Sequence, residues 1–372
     1  MKPHLLFLSW RDARHPQAGE AETFIHEMLR RVSTTYRVTH LSVSFKGGSP
    51  TEYRDGITYL RYGTTASLIP YALYYYWSYA KTIDLVLDHL NGFHFFTPLY
   101  VPRHKRTLFL YQLIRERWST TLVFPFSKLG EWTETRRLSW YKDSHALTIS
   151  PSVVDELQSA GFTNSHITML SPGLSFSPWS EQEWELKEHV PTFLYINRLN
   201  EKELQDAIGA FLMVQREFPE TRLWLIGIRN SSHLLQYLTL PLPKEVKDAI
   251  TYYDSVTETE TRRMMSRATA LLFPSIREGV GFSIIEAAAV GTPSIVYDAP
   301  GVRDAVQYGM TGYMAKNKTP GALAAEMRAC FRDPEEYEAI RISAHHFARA
   351  MDWQQTDLKF QEWLRRVLLD TK

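Results

Sequence analysis

Phe273-Pro274-Ser275-Ile276-Arg277-Glu278-Gly279-Val280-Gly281-Phe282-Ser283-Ile284-Ile285-Glu286 decides how this 372-residue chain is read. It runs from an apolar strand into a glycine loop, then into a helix expected to begin near Phe282. Gly279 and Gly281 let the backbone turn tightly and approach a ligand with no Cβ in the way. A helix starting there offers unpaired N–H groups and a positive dipole end, which suits a diphosphate. Glu278 stands before the loop and Glu286 in the first turns of the helix, so both can face one ligand. Two carboxylates so placed accept hydrogen bonds from the vicinal hydroxyls of a sugar and a ribose. Strand–Gly-x-Gly–helix alone is generic, and Glu286 alone also reads as an acid favoured by the helix dipole.

On either side, short apolar runs alternate with longer helical patterns, the mark of parallel sheets covered by helices. Strands are expected at 5–8, 38–43, 57–60, 85–90, 107–110 and 146–149, with helices at 20–32, 70–82 and 128–141. The pattern restarts after a Pro- and Ser-rich stretch, with strands at 192–196, 223–226, 249–253, 270–273 and 294–296. Helices at 202–217, 258–267 and 282–289 separate these strands. The fold class is therefore α/β, with two doubly wound domains in series, residues 1–175 and 191–350. A linker is expected at 176–190. Residues 351–372 form a final amphipathic helix, expected to cross back to the first domain. Ligands of such sheets bind at the carboxyl ends of the strands, here expected to face a central cleft.

Size and composition agree with this division, since 372 residues exceed what a single core usually supports. The net charge is +1, but it is unevenly spread. Residues 1–175 carry roughly five more basic than acidic side chains, and the remainder roughly four more acidic. That basic half suits an anionic partner, with the inner face of a membrane as one expectation and solvated surface charge as the other. Cys330 is the only cysteine, so no internal disulfide forms, which fits a reducing cytoplasm. No window supplies the roughly twenty apolar residues of a membrane span. The aromatic run from Leu68 to Tyr79 could touch a lipid-linked acceptor or membrane, or form an inner helix whose tyrosines find buried partners. Both readings stay open. No metal-binding spacing, ATPase phosphate loop or nucleophile elbow occurs, and neither a metal site nor a nucleic-acid partner is expected.

The Glu-x7-Glu frame of Glu278 and Glu286, around Gly-x-Gly-Phe and followed by Ala287-Ala288-Ala289-Val290-Gly291-Thr292-Pro293, resembles the donor motif of the family-four glycosyltransferases. The resemblance implies the GT-B architecture, two Rossmann-like domains, and a retaining reaction that uses a nucleoside diphosphate sugar. It gives Glu278 the hydroxyls of the transferred sugar and Glu286 the ribose, with Gly279, Val280, Gly281, Phe282 and Ser283 lining the donor. Asn197-Arg198-Leu199-Asn200-Glu201-Lys202 is similar to the family's Gly-Arg-Leu-x3-Lys-Gly, one residue short, with Asn197 and Glu203 replacing the glycines. Arg198 and Lys202 would then neutralise the diphosphate as it departs. Pro300-Gly301-Val302-Arg303-Asp304-Ala305-Val306, Gly309 and Thr311-Gly312 resemble the next loop and turn. Tyr252 to Val256 stand where relatives seat the base, and Tyr253 could stack on it.

The first half departs from the family's pattern. Relatives have Gly-Gly-Ala-Glu after the first strand; here Gly19, Ala21 and Glu22 remain but Glu20 replaces a glycine. Gly19 keeps a donor contact in this reading, whereas the Glu20 carboxylate would repel a diphosphate unless it meets an acceptor hydroxyl. Tyr111 and Ile114 stand where relatives carry sugar-facing histidines. Arg115 and Glu116 either face the acceptor or form a surface ion pair. The expected activity is transfer from a UDP-sugar, in preference to a GDP-sugar, to a hydroxyl of a glycan, lipid-linked or small-molecule acceptor. No cofactor is required, and a cytoplasmic or peripheral-membrane location is expected. A nucleotide-sugar epimerase on the same scaffold and a catalytically weak donor-binding subunit are the alternatives.

Overall fold

The computed structural model describes residues 2–115, 118, 126–196, 201–227 and 243–370. The chain divides into two compact units, Met1–Gly173 together with Asp352–Lys372, and Leu174–Met351. Among the described residues no helix is long and apolar enough to cross a membrane.

Among the described residues the first unit holds eight strands: β1 His4–Leu8, β2 Arg37–Ser42, β3 Thr51–Arg54, β4 Ile57–Arg61, β5 Leu85–Leu90, β6 Arg106–Leu110, β7 His145–Thr148 and β8 Ile167–Met169. Their order is β3-β4-β2-β1-β5-β6-β7-β8, parallel throughout except for β3, which pairs antiparallel with β4. β1 and β5 are buried along their whole length, because helices cover both faces of a doubly wound sheet. β3 was not expected. Its residues alternate between exposed and half-buried, and the hairpin is set by Asp55-Gly56, both at positive φ (51° and 81°). The helix expected from residue 70 starts at Thr65, because Thr64 N–H donates to Ser67 Oγ at 2.8 Å and begins the first turn ahead of Pro70.

Among its described residues the second unit has six parallel strands: β9 Thr192–Ile196, β10 Arg222–Ile226, β11 Ile250–Tyr253, β12 Ala270–Phe273, β13 Ser294–Tyr297 and β14 Gly312–Ala315. Their order, β11-β10-β9-β12-β13-β14, reverses direction between β9 and β12, which pair directly with Phe193 opposite Ala270. Loops diverge at such a switch point, and ligands bind outside the carboxyl ends of the two strands.

The residues expected as a linker, 176–190, are instead packed on the second unit. Trp179 N–H donates to Ala289 O at 3.0 Å, and Glu188 bonds Arg267 Nε at 2.8 Å. The Lys187 ammonium is buried, donating to Ala268 O at 2.7 Å and Thr292 Oγ1 at 2.6 Å, and burial holds its pKa well below the ordinary value. Trp184 meets His345 edge to face at 5.1 Å. Desolvated anchors of this kind fix the segment, so the division falls after Gly173 rather than after 175.

The last helix, Trp353–Asp370, packs within the first unit. Trp353 stacks on Phe24 at 5.3 Å, and Phe360, Trp363, Leu364 and Val367 are buried. Gly173 leaves room for the Trp353 ring, with which a Cβ would collide.

Candidate active site

β12 ends at Phe273, and the chain turns through Gly279 and Gly281 into the helix Phe282–Ala289. Gly281 caps that helix at φ 72°, a left-handed conformation that side chains disfavour, and a Cβ would lie 2.9 Å from Ile284 Cδ1. The helix buries Ser283, Ile284, Ile285 and Ala287 to Ala289, which fixes its starting direction. Gly279 and Val280 are buried, and Phe282 is half-buried.

Glu278 is half-buried and held at two points. Its N–H donates to Pro300 O at 3.0 Å, and Ser275 Oγ donates to its Oε1 at 2.9 Å. Gly301, at φ 78°, lets the adjoining loop close on it; a Cβ there would collide with the Glu278 carbonyl oxygen. The loop resembling the family's next motif therefore positions the first glutamate.

Glu286, also half-buried, lines a cavity of about 260 Å3 with Ser175, Val256, Glu258, Thr261, Arg262 and Met265. Arg262 pairs with Glu258 at 3.0 Å, and its guanidinium lies 4.2 Å from the Phe176 ring centroid. Sequence reasoning missed Arg262. The available signal was its i,i+4 spacing from Glu258 in the helix Glu258–Arg267, a pairing common on exposed helices.

Tyr253 ends β11 but opens on a neighbouring cavity of about 300 Å3, with Trp224, Ser255, Val256, Thr257, Glu260, Met264 and Arg267. Val256 borders both spaces, and Glu286 borders only its own. The structure thus puts Tyr253 and Glu286 in adjacent cavities, and Tyr252 against the apolar core.

Arg198 lies outside the described residues. Lys202 is exposed in the first turn of the helix Glu201–Glu217, which follows β9, so strand order brings it to the same sheet edge as Glu278. Its charge reaches Asp206, whose carboxyl is raised by burial and accepts from Tyr297 Oη at 3.0 Å. Glu203, at the place of a family glycine, is buried.

In the first unit, Gly19 caps the helix Glu20–Val32 in an extended conformation, its N–H donating to Glu22 Oε2 at 2.7 Å. Glu22 is buried and pairs with Arg11 Nε at 3.3 Å, while Arg11 also bonds Gln17 O at 2.6 Å. Glu22 therefore serves the loop from residue 10 to 19. Glu20 is half-buried at the first position of the helix. Burial works to raise the Asp12 carboxyl, but the Arg61 hydrogen bond at 2.6 Å holds it below its ordinary value.

Tyr111 is buried. The buried Glu134 carboxylate accepts from the N–H groups of Ile114 (2.8 Å) and Arg115 (3.1 Å), which supports Arg115 at φ 41°. Arg115 Nη1 donates to Thr135 Oγ1 at 2.7 Å, so its partner is a hydroxyl of the first unit's own helix. Glu116 lies outside the described residues. Among the described residues, no three His, Cys, Asp or Glu side chains converge as metal ligands.

Residues 178–347 match the family described as glycosyl transferases group 1. A glycogen synthase of Mycobacterium tuberculosis is 29% identical over 221 residues, 58% of this chain and 53% of that protein. The match thus takes in about half the length of this curated relative. Sucrose-phosphate synthase from Thermosynechococcus elongatus superimposes with a TM-score of 0.77 at 15% identity, covering 99% of this chain and 100% of that one. Anabaena Alr3699/HepE, solved in complex with UDP-glucose, gives 0.70 at 14% identity, with 98% and 99% covered. Glu278 and Glu286 thus both lie within the matched residues 178–347, in a chain of two Rossmann-like units that shares the GT-B fold of these solved structures.

Proposed function

We propose that this chain is a retaining glycosyltransferase. It moves a sugar from a nucleoside diphosphate sugar, UDP- rather than GDP-linked, to a hydroxyl of a glycan, lipid-linked or small-molecule acceptor. One observation carries the reading. Glu278 is fixed by Ser275 and the Pro300-Gly301 loop immediately ahead of the N-terminus of the helix Phe282–Ala289, and Glu286 of that same helix lines a cavity. That arrangement brings hydrogen-bond acceptors for hydroxyls and a helix N-terminus suited to phosphate oxygens into the one stretch 278–286.

Glu278 orients the transferred sugar, and Glu286 takes the ribose hydroxyls beside Arg262. Arg198 and Lys202, with the helix at Phe282, stabilise the diphosphate as negative charge builds on it. The bond from the anomeric carbon to the phosphate oxygen breaks as that carbon bonds the acceptor oxygen on the same face. The acceptor's proton passes to the departing phosphate, so no dedicated protein base is needed. Preference for UDP is supported by the Anabaena protein, which was solved with UDP-glucose. Charge neutralisation by Arg198 and Lys202 leaves no task for a metal ion.

Single-turnover transfer with a UDP-sugar panel, run with and without EDTA, tests the proposal. Glu278→Ala and Arg198→Ala should each lower the rate about 100-fold or more, with unchanged melting temperature and no effect of EDTA. Wild-type turnover in either variant sinks the assignment. Donor binding without transfer to any acceptor favours the donor-binding subunit, and turnover of the nucleotide sugar alone to an isomer favours the epimerase.

A further inference from the structure

The helix Thr65–Tyr79 shares no residue with the donor-side set, and from Tyr62 to Ala80 no charged side chain occurs. A surface helix normally sets an apolar stripe against a charged outer face. Here the inner face is ordinary, with Leu68, Ala72, Tyr75 and Tyr76 buried in the core of the first unit. The outer face is aromatic as well. Tyr74 and Trp77, about one turn apart, are each 65% exposed, and Tyr62 and Tyr79 are 46% and 47% exposed. The tyrosine rings form a connected array. Tyr62 stacks on Tyr71 with centroids 3.7 Å apart and planes 10° apart. Tyr71 lies 6.3 Å from both Tyr74 and Tyr75, and Tyr75 lies 4.7 Å from Tyr79. Rings already held by one another lose little freedom when a ligand lands on them.

The composition of this face selects its occupant. Helices that seek a bilayer surface pair Trp, Phe or Leu with a polar face rich in Lys and Arg. This face has no cation before Lys81, and its exposed large side chains are tyrosine and tryptophan only. Along the helix itself a charged polymer would find no opposite charge, the cations Arg37, Lys81 and Lys105 lying at its edges. A neutral sugar chain matches on both counts, because the C–H faces of its rings rest on aromatic faces whose quadrupole is negative. Its hydroxyls meet phenol and indole groups at the rim. We propose that Tyr62, Tyr71, Tyr74 and Trp77 form a platform that binds a neutral oligosaccharide or polysaccharide chain. The choice of a glycan rests on the acceptor class proposed above, but binding itself needs neither donor nor turnover.

Electrophoresis of the full chain through native gels cast with glycogen, dextran or galactomannan reads the interaction directly. At least one polysaccharide should retard the wild type. Tyr74→Ala and Trp77→Ala should each weaken retention about fivefold, and the double variant should abolish it. Melting temperature and the thermal shift given by UDP should not change, since both side chains are exposed. Trp77→Phe should restore most of the retention, and Glu278→Ala should leave it intact, so failure of the platform and failure of the transferase reading give different results. The proposal is overturned by free migration of the wild type in all three gels, or by undiminished retention of the double variant. It is also overturned if the double variant loses binding to phosphatidylcholine–phosphatidylglycerol vesicles while keeping its retention by glycan.

Discussion

Ser275 is fully buried and contributes one hydroxyl, yet that hydroxyl sets the rotamer of the glutamate assigned to the sugar. Ser275→Ala should lower kcat/KM for the donor roughly tenfold, because a hydrogen bond to a charged group contributes about 1.5–3 kcal/mol. Steady-state kinetics with varied donor would show this, whereas an effect within twofold would mean that Glu278 is placed by its backbone alone. The glycine turn and helix start that carry Glu278 and Glu286 were legible in the sequence, because the residues are close in the chain and framed by glycines, one of them held at positive φ. Arg262 was not legible. Its meaning depends on a cavity built from Ser175, the helix Glu258–Arg267 and the helix Phe282–Ala289, a neighbourhood that no local spacing encodes. Tyr253 shows the converse: its strand and position were readable, but which side of Val256 its ring would occupy was not.

Among the elements, the parallel strands were the most readable, because burial on both faces writes them as unbroken apolar runs. β3 escaped notice because an edge strand with a wet face needs no such run, and its information resides in the Asp55-Gly56 turn. Residues 176–190 misled for a related reason: polar composition suggested a free segment, whereas Lys187, Trp184 and Glu188 find partners distant in sequence. The helix Trp353–Asp370 allows a stability test at this level. Trp353 is half-buried, stacks on Phe24, and takes the Arg31 guanidinium over its ring at 4.8 Å. Trp353→Ala should destabilise the first unit by about 2 kcal/mol, less than the truncation of a fully buried ring. Chemical denaturation followed by a first-unit probe would measure it, and a change confined to the second unit would contradict this packing.

Acid should separate the two units of the whole molecule. His4, His40, His89 and His94 all lie buried in the first unit. Burial holds His4, His40 and His94 down to about 4 and His89 down to about 3. The unfolded chain takes up these protons near 6.5 and the folded unit does not, so the stability they contribute above that value is lost as pH falls through about 4. Asp88 acts in the opposite sense: burial pushes its carboxyl up to about 6, so its contribution is present below 3.8 and lost as pH rises through about 6. Four imidazoles outweigh one carboxyl. Each should cost on the order of 2 kcal/mol by pH 5. Calorimetry between pH 7 and pH 5 should show the first unit's transition moving down ahead of the second's, and transitions that move together would refute it.

The first unit is assembled from two stretches of chain separated by the entire second unit. During synthesis at roughly 5–20 residues per second, the interval between Gly173 and Asp352 lasts on the order of ten to forty seconds. The second unit can complete itself in that time, while the first waits with the seat for Phe360, Trp363, Leu364 and Val367 uncovered. Maturation on the ribosome would then run in reverse of the order of translation, and the nascent first unit is the part that most needs a chaperone.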